Sequence, residues 1–197
     1  MAAATEQELK DRLSLIETMI AEGRRTTESW GWTFVLWGVA YFVAILWTAL
    51  GHSVAAWPVT MISACVLTGV LVGIKGGSKP GTTMGRAIAS IWVAMGISML
   101  VLFFSLGLSG RIDQHILIAA ATAMLGMANA ASSLILKWKL QAACAVVWWA
   151  TSAFACFGKS SQATIVFLAA IFFCQIVFGV YGMIAEARQN WKDAAHA

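Results

Sequence analysis

Six stretches of this chain, residues 30–50, 54–74, 87–108, 116–136, 140–157 and 163–184, contain no aspartate, glutamate, lysine or arginine. Five of them have 21 or 22 residues and the fifth in order has 18. A hydrocarbon core of about 30 Å is crossed by roughly 20 helical residues, with about 17 as the lower bound. Six transmembrane helices follow, because a backbone in lipid must satisfy its own hydrogen bonds and alternating barrel strands are not visible. Composition agrees. The 197 residues are 60% hydrophobic and only 11% charged, with a mean hydropathy of +0.78, whereas soluble domains carry about 25% charge. The expected fold is all-α and integral to the membrane, with a cytosolic helix and connector over 1–29, six spans over 30–184 and a cytosolic tail over 185–197.

The cations orient the spans. Lys10, Arg12, Arg24, Arg25, Lys75, Lys79, Arg86, Lys137, Lys139, Arg188 and Lys192 fall on one side, and only Arg111 and Lys159 on the other. The positive-inside bias places both termini in the cytoplasm and the protein in the cytoplasmic (inner) membrane. The first 29 residues are polar, so no cleavable signal peptide is expected. The net charge of +4 is accounted for by cations facing an anionic leaflet; the expected surroundings are a lipid bilayer, and nucleic acid is not an expected partner.

The odd-numbered spans align around a tryptophan, at Trp37, Trp92 and Trp148, with separations of 55 and 56 residues. Each is followed by a short outer turn and a returning span. The spacing predicts three helical hairpins about an approximate threefold axis. In this arrangement residues 30–184 resemble the small bacterial six-span proteins of the HdeD type, also three repeated hairpins with cytoplasmic ends. The resemblance is one of architecture; it implies that layout and no activity or site residue, and the long polar N-terminal segment departs from it. Trp30, Trp32, Trp47, Trp57, Trp138 and Trp191 sit near span ends, where an amphipathic ring suits the headgroup region.

Before the first span, Thr5-Glu6-Gln7-Glu8 reads as a capping box opening a helix, and Gly23 as its stop. Leu9, Leu13, Ile16 and Ile20 follow a 4-3-4 spacing on one face, with Glu6, Lys10, Asp11, Glu17 and Glu22 opposite. Four seam residues are too few for an isolated coiled coil, so the stripe needs a partner. The acidic polar face disfavours lipid docking. Another protein subunit, a second copy in a homo-oligomer, or the chain's own inner loops remain.

No catalytic constellation emerges, and no cofactor or metal is expected. Gly76-Gly77-Ser78-Lys79-Pro80-Gly81-Thr82-Thr83 lacks the Lys-Ser/Thr pair and the preceding strand of a phosphate loop. Cys65, Cys144, Cys156 and Cys174 are isolated and expected at different depths, as apolar packers. His52 and His115 share the outer rim with Asp113. Glu28 and Glu186 lie at span edges near Arg24, Arg25 and Arg188, where ion pairs are expected. Among intramembrane polar groups, Thr68, Asn129 and Gln175, one in each returning span, should face the interior with Tyr41 and Tyr181, as interhelical bonds or a cavity lining. Gly69 and Gly73 in span two, and Thr122, Gly126 and Ala130 in span four, should pack centrally or at an oligomer contact. The expected function is a non-enzymatic inner-membrane subunit, regulatory, sensory or assembling, docked through its N-terminal helix. The alternative is a channel or facilitator for a small neutral solute.

Overall fold

The structure, a computed structural model, describes residues 2–51, 55–74, 83–109 and 113–195. His52, Arg111 and the glycine-rich stretch before Thr83 lie outside the described residues. Helix α1 runs over Ala2–Ser29, α2 over Gly31–Gly51, α3 over Ala56–Ile74, α4 over Thr83–Ser109, α5 over Gln114–Leu136, and α6 over Lys139–Phe157. The chain then continues as α7 (Ser160–Ile171), a π-helical turn (Phe172–Val177) and α8 (Phe178–Ala195), without leaving helical backbone angles. Among the described residues six helical segments are long and apolar enough to cross a membrane, including Lys139–Phe157 and the composite rod from Ser160 to Lys192.

Two local expectations fail at α1. The helix begins at Ala2, upstream of Thr5, so Thr5 is not its cap; Glu8 instead pairs with Arg12 one turn on, as Glu6 does with Lys10. Nor does Gly23 stop the helix. It is buried within it, and a Cβ there would lie 2.7 Å from the Leu136 side chain and 3.0 Å from Met84. Its missing side chain serves close packing of α1 on α4 and α5. The break comes at Trp30, where Trp30 N–H bonds Thr27 O at 3.2 Å and Thr33 N–H bonds Trp30 O at 2.9 Å.

Consecutive spans lie side by side as α2 with α3, α4 with α5, and α6 with α7, but their surroundings differ. The α5–α6 pair is the most intimate in the molecule, whereas by backbone approach α3 packs on α2 alone. Helix α4 reaches α2 through long side chains, with Phe34 edge-on to Trp92 at 4.9 Å and the Tyr41 hydroxyl donating to Met99 Sδ at 3.7 Å. The tryptophans at the 55–56-residue spacing differ accordingly: Trp148 is wholly buried, Trp37 and Trp92 only partly.

A second close crossing joins α2 to the last rod. A Cβ on Gly31 would lie 2.5 Å from Gly179 O, and one on Gly38 would lie 2.8 Å from Ile176 Cγ1 and 3.1 Å from Gln175 Cβ. Seven residues separate Gly31 and Gly38, two helical turns, so both sit on one face. The π turn carries one extra residue per turn, which widens the rod at the level where Gly38 leaves room for it.

At the end of the bundle away from α1 Asp113 caps α5, accepting from His115 N–H at 2.8 Å and Ile116 N–H at 3.1 Å. His115 Nδ1 lies 2.8 Å from Ala155 O, and Nε2 lies 2.7 Å from Ser160 Oγ. A carbonyl only accepts, so Nδ1 carries a hydrogen and both ring nitrogens are engaged in tying α5 to α6 and α7.

Candidate functional site

Two regions gather the polar chemistry: the helix ends around α1, and the buried seam between α5 and α6.

At the α1 end of the bundle, α5 finishes on Lys137, a non-glycine residue in the left-handed region at φ 50° and ψ 41°. Arg24 secures that turn. Its Nε donates to Leu136 O at 2.8 Å and its Nη2 to Lys137 O at 2.6 Å, placing a cation on the carbonyl end of the helix where the macrodipole favours it. Arg24 is therefore not the ion-pair partner expected for Glu28. Glu28 instead accepts from Gln189 Nε2 at 3.1 Å, while Gln189 Oε1 accepts from Arg25 Nε at 2.8 Å. Thus α1 is clamped over its last two turns to α4, α5 and α8. Beyond the clamp it is uncovered: Leu9, Leu13 and Ile16 are 60%, 54% and 50% exposed, and Ile20 is partly buried.

Partial burial raises the Glu28 carboxyl from its ordinary 4.5, reinforced by the Glu186 charge and opposed by the Gln189 bond and by Arg24 and Arg25. The folded state then binds the Glu28 proton more tightly than the unfolded state. This contribution to stability is full below the ordinary value and is lost as pH rises through the raised one. Glu28→Gln keeps an oxygen to accept from Gln189 and removes the titration. Its melting temperature is expected to gain less on acidification from neutral pH than the parent's; identical pH profiles would show that Glu28 is not strained there.

Within the membrane the polar groups expected to face the interior have different surroundings. Among the described residues no side-chain hydrogen bond joins Thr68, Asn129 and Gln175. Thr68 donates back to Ala64 O at 2.7 Å and is only partly buried. Asn129 is buried, with Nδ2 donating to Leu125 O of its own helix at 2.8 Å. Gln175 is buried in the π turn, and Tyr41 is buried against α4. Tyr181 is 49% exposed and does not face the interior. The small-residue expectation also divides. In α5, Thr122 is buried with its hydroxyl bonded to Ile118 O at 2.7 Å, Gly126 is the seat of the Trp149 indole, and Ala130 is partly buried. Gly69 and Gly73 are exposed with nothing within 4 Å of a Cβ placed there. They do not pack centrally, because α3 meets α2 through the face bearing Ala56, Thr60 and Ala64.

The cysteines are not all at different depths. Cys174 Sγ comes within 4.0 Å of Cys144 O, and both residues are buried, while Cys65 and Cys156 are exposed. Among the described residues no three His, Cys, Asp or Glu side chains converge as metal ligands would.

Four buried groups of the seam were not singled out from the sequence as a set. The carboxamide of Gln141, the hydroxyl of Ser132, Oδ1 of Asn129 and Nε1 of Trp148 are buried and bond no group among the described residues. Gln141 was legible as the only amide in an outgoing span, but it sits two residues from Lys139 and reads as part of the rim. Gly31, Gly38, Gly179 and Gly182 were equally visible, but at a spacing of seven or three rather than four.

Set against protein-family models, curated proteins and solved structures, the chain matches none of them.

Proposed function

We propose that this protein is a non-enzymatic subunit of the cytoplasmic membrane that docks a protein partner or a second copy through α1, in a regulatory, sensory or assembly role. One observation carries the reading. The exposed large apolar side chains of α2 to α8 lie mostly on the six spans, where lipid covers them. Leu9, Leu13 and Ile16 lie instead on a helix that bears Glu6, Glu8, Asp11, Glu17 and Glu22, a charge pattern unsuited to an anionic lipid surface. Each such side chain gains roughly 1.5–3 kcal/mol on burial. Because the other end of α1 is clamped by Arg24 and Gln189, the stripe is presented as a formed helix, and a partner need not meet the cost of helix nucleation. The cation distribution supports cytoplasmic termini, which puts the stripe within reach of cytosolic proteins. The side-by-side packing of successive spans supports three hairpins as the membrane anchor.

Leu13→Asp combined with Ile16→Asp is expected to leave membrane insertion intact and to release the partner or dissolve the oligomer. The measurement is particle size in mild detergent together with mass spectrometry of co-eluting proteins. Unchanged size and companions would remove the docking reading. A second reading, passage of a small neutral solute through the bundle, draws on the buried polar groups of the α5–α6 seam; the two part on whether the reconstituted protein carries such a solute into liposomes.

A further inference from the structure

The buried polar side chains are distributed unevenly. Among the described residues, Thr122, Asn129, Ser132 and Ser133 on α5, with Gln141 and Thr151 on α6, are six of the nine, so these two helices hold most of the interior polarity. The register of that seam is set by two contacts. Gly126 faces Trp149, and Ser152 Oγ donates to Ala119 O across the helices at 2.8 Å. In this antiparallel pairing Ser132 comes opposite Gln141 near the inner end. Asn129 is one turn deeper on α5, and Trp148 lies two turns deeper on α6, about 10 Å from the level of Gln141 at 1.5 Å per residue.

The two halves of the seam are satisfied differently. In the outer half the hydroxyls are used up: Thr122 bonds Ile118 O, Thr151 bonds Val147 O at 2.9 Å, and Ser152 bonds Ala119 O. In the inner half both ends of the Gln141 carboxamide, Ser132 Oγ, Asn129 Oδ1 and Trp148 Nε1 bond no group among the described residues. A buried polar group left unbonded is costly, so five atoms in this state along two turns are a heavy concentration. Their chemistry is mixed. Asn129 Oδ1 and Gln141 Oε1 accept, Gln141 Nε2 and Trp148 Nε1 donate, and Ser132 does either. A cation would leave the donors unanswered and an anion the acceptors. Neutral molecules that both donate and accept can answer either kind.

We infer that the inner half of the α5–α6 seam, between Gln141, Ser132, Asn129 and Trp148, is a binding site for small neutral hydrogen-bonding molecules of the size of water or a simple amide. Leu125, Leu136 and Trp148 of the two helices are wholly or almost wholly buried, and interiors packed this closely hold only small molecules. Buried waters typically make about three hydrogen bonds each, so groups spread over about 10 Å of the seam would be answered by more than one occupant. The site requires binding and not passage, since the outer half offers no comparable unbonded groups, and it is independent of what α1 docks.

The test uses the full-length protein in mild detergent with 15N-labelled tryptophan, the Trp148 indole signal being assigned by its loss in Trp148→Phe. The expected result is a magnetisation-transfer cross-peak between water and the Trp148 indole N–H, in the unmodified protein, with no variant needed. Formamide is then titrated as the amide probe. A saturable shift of the Trp148 signal, lost in Gln141→Leu, identifies a site that takes solutes as well as water. A water cross-peak with no saturable formamide shift identifies a water site and equally supports the inference. Absence of both, with the indole hydrogen exchanging as slowly as those of the packed core, overturns it.

Discussion

Gly31→Ala is expected to destabilise the membrane domain by about 1–3 kcal/mol, and Gly31→Val by the upper end of that range or beyond. The reason is that the added carbon meets backbone, not a movable side chain. A Cβ on Gly31 would stand 2.5 Å from Gly179 O and 2.9 Å from Met183 N, and one on Gly179 would stand 2.6 Å from Gly31 O. Neither helix can yield by changing a rotamer, so α2 and the last rod must part, and the contacts around Gly38 and Gly182 would loosen with them. Helices in lipid gain no hydrophobic drive toward each other, so close backbone packing of this kind is a main source of their association. The same chemical change at Gly69 is the control. Gly69 has nothing within 4 Å of an added Cβ, so Gly69→Ala should leave stability unchanged or raise it by up to about 1 kcal/mol through helix propensity. Thermal unfolding in one detergent reads both. Equal melting temperatures for Gly31→Ala and Gly69→Ala would refute the α2–α8 crossing.

Arg24→Ala is expected to release α1 from the bundle while the spans stay folded. Two charge-assisted bonds, to Leu136 O at 2.8 Å and Lys137 O at 2.6 Å, are lost together. Bonds to a charged group contribute about 1.5–3 kcal/mol each when shielded; the Lys137 bond is exposed and counts for less. A loss of about 2–3 kcal/mol in total is large for a contact made by the last two turns of one helix. Removing the guanidinium also leaves the left-handed Lys137 turn without its cation. Amide hydrogen exchange should rise across residues 20–29 and at the C-terminal end of α5, with the mid-span amides unaffected. Arg24→Lys should fall between parent and alanine, because a single ammonium does not reproduce the fork that reaches two carbonyls. Unchanged exchange in Arg24→Ala would show that Gly23 and Gln189 alone hold α1.

Much of this architecture is written in local sequence. Absence of charge over six runs of sufficient length determines the spans, because the bilayer penalises each charged residue independently of what the rest of the chain does. The 4-3-4 spacing of Leu9, Leu13, Ile16 and Ile20 likewise places them on one helical face without reference to any neighbour. Which helix meets which is a different kind of fact. Lipid tails are as apolar as leucine, so inside the membrane hydrophobicity no longer distinguishes a buried face from a lipid-facing one. A glycine pair in α3 and the glycines of α2 and the last rod therefore read alike in sequence, yet Gly69 and Gly73 face outward while Gly31 and Gly179 touch backbone to backbone. Gly23 resembles a helix stop in isolation, and only the presence of Leu136 and Met84 against it makes it a contact within a continuous helix. The polar residues follow the same division. That Asn129 and Gln175 must be buried follows from the cost of leaving an amide in lipid, and both are. That Asn129 lies along a seam with Ser132, Gln141 and Trp148, rather than bonding Gln175, was decided by the antiparallel register of α5 and α6, a relation between helices that no single stretch of sequence contains.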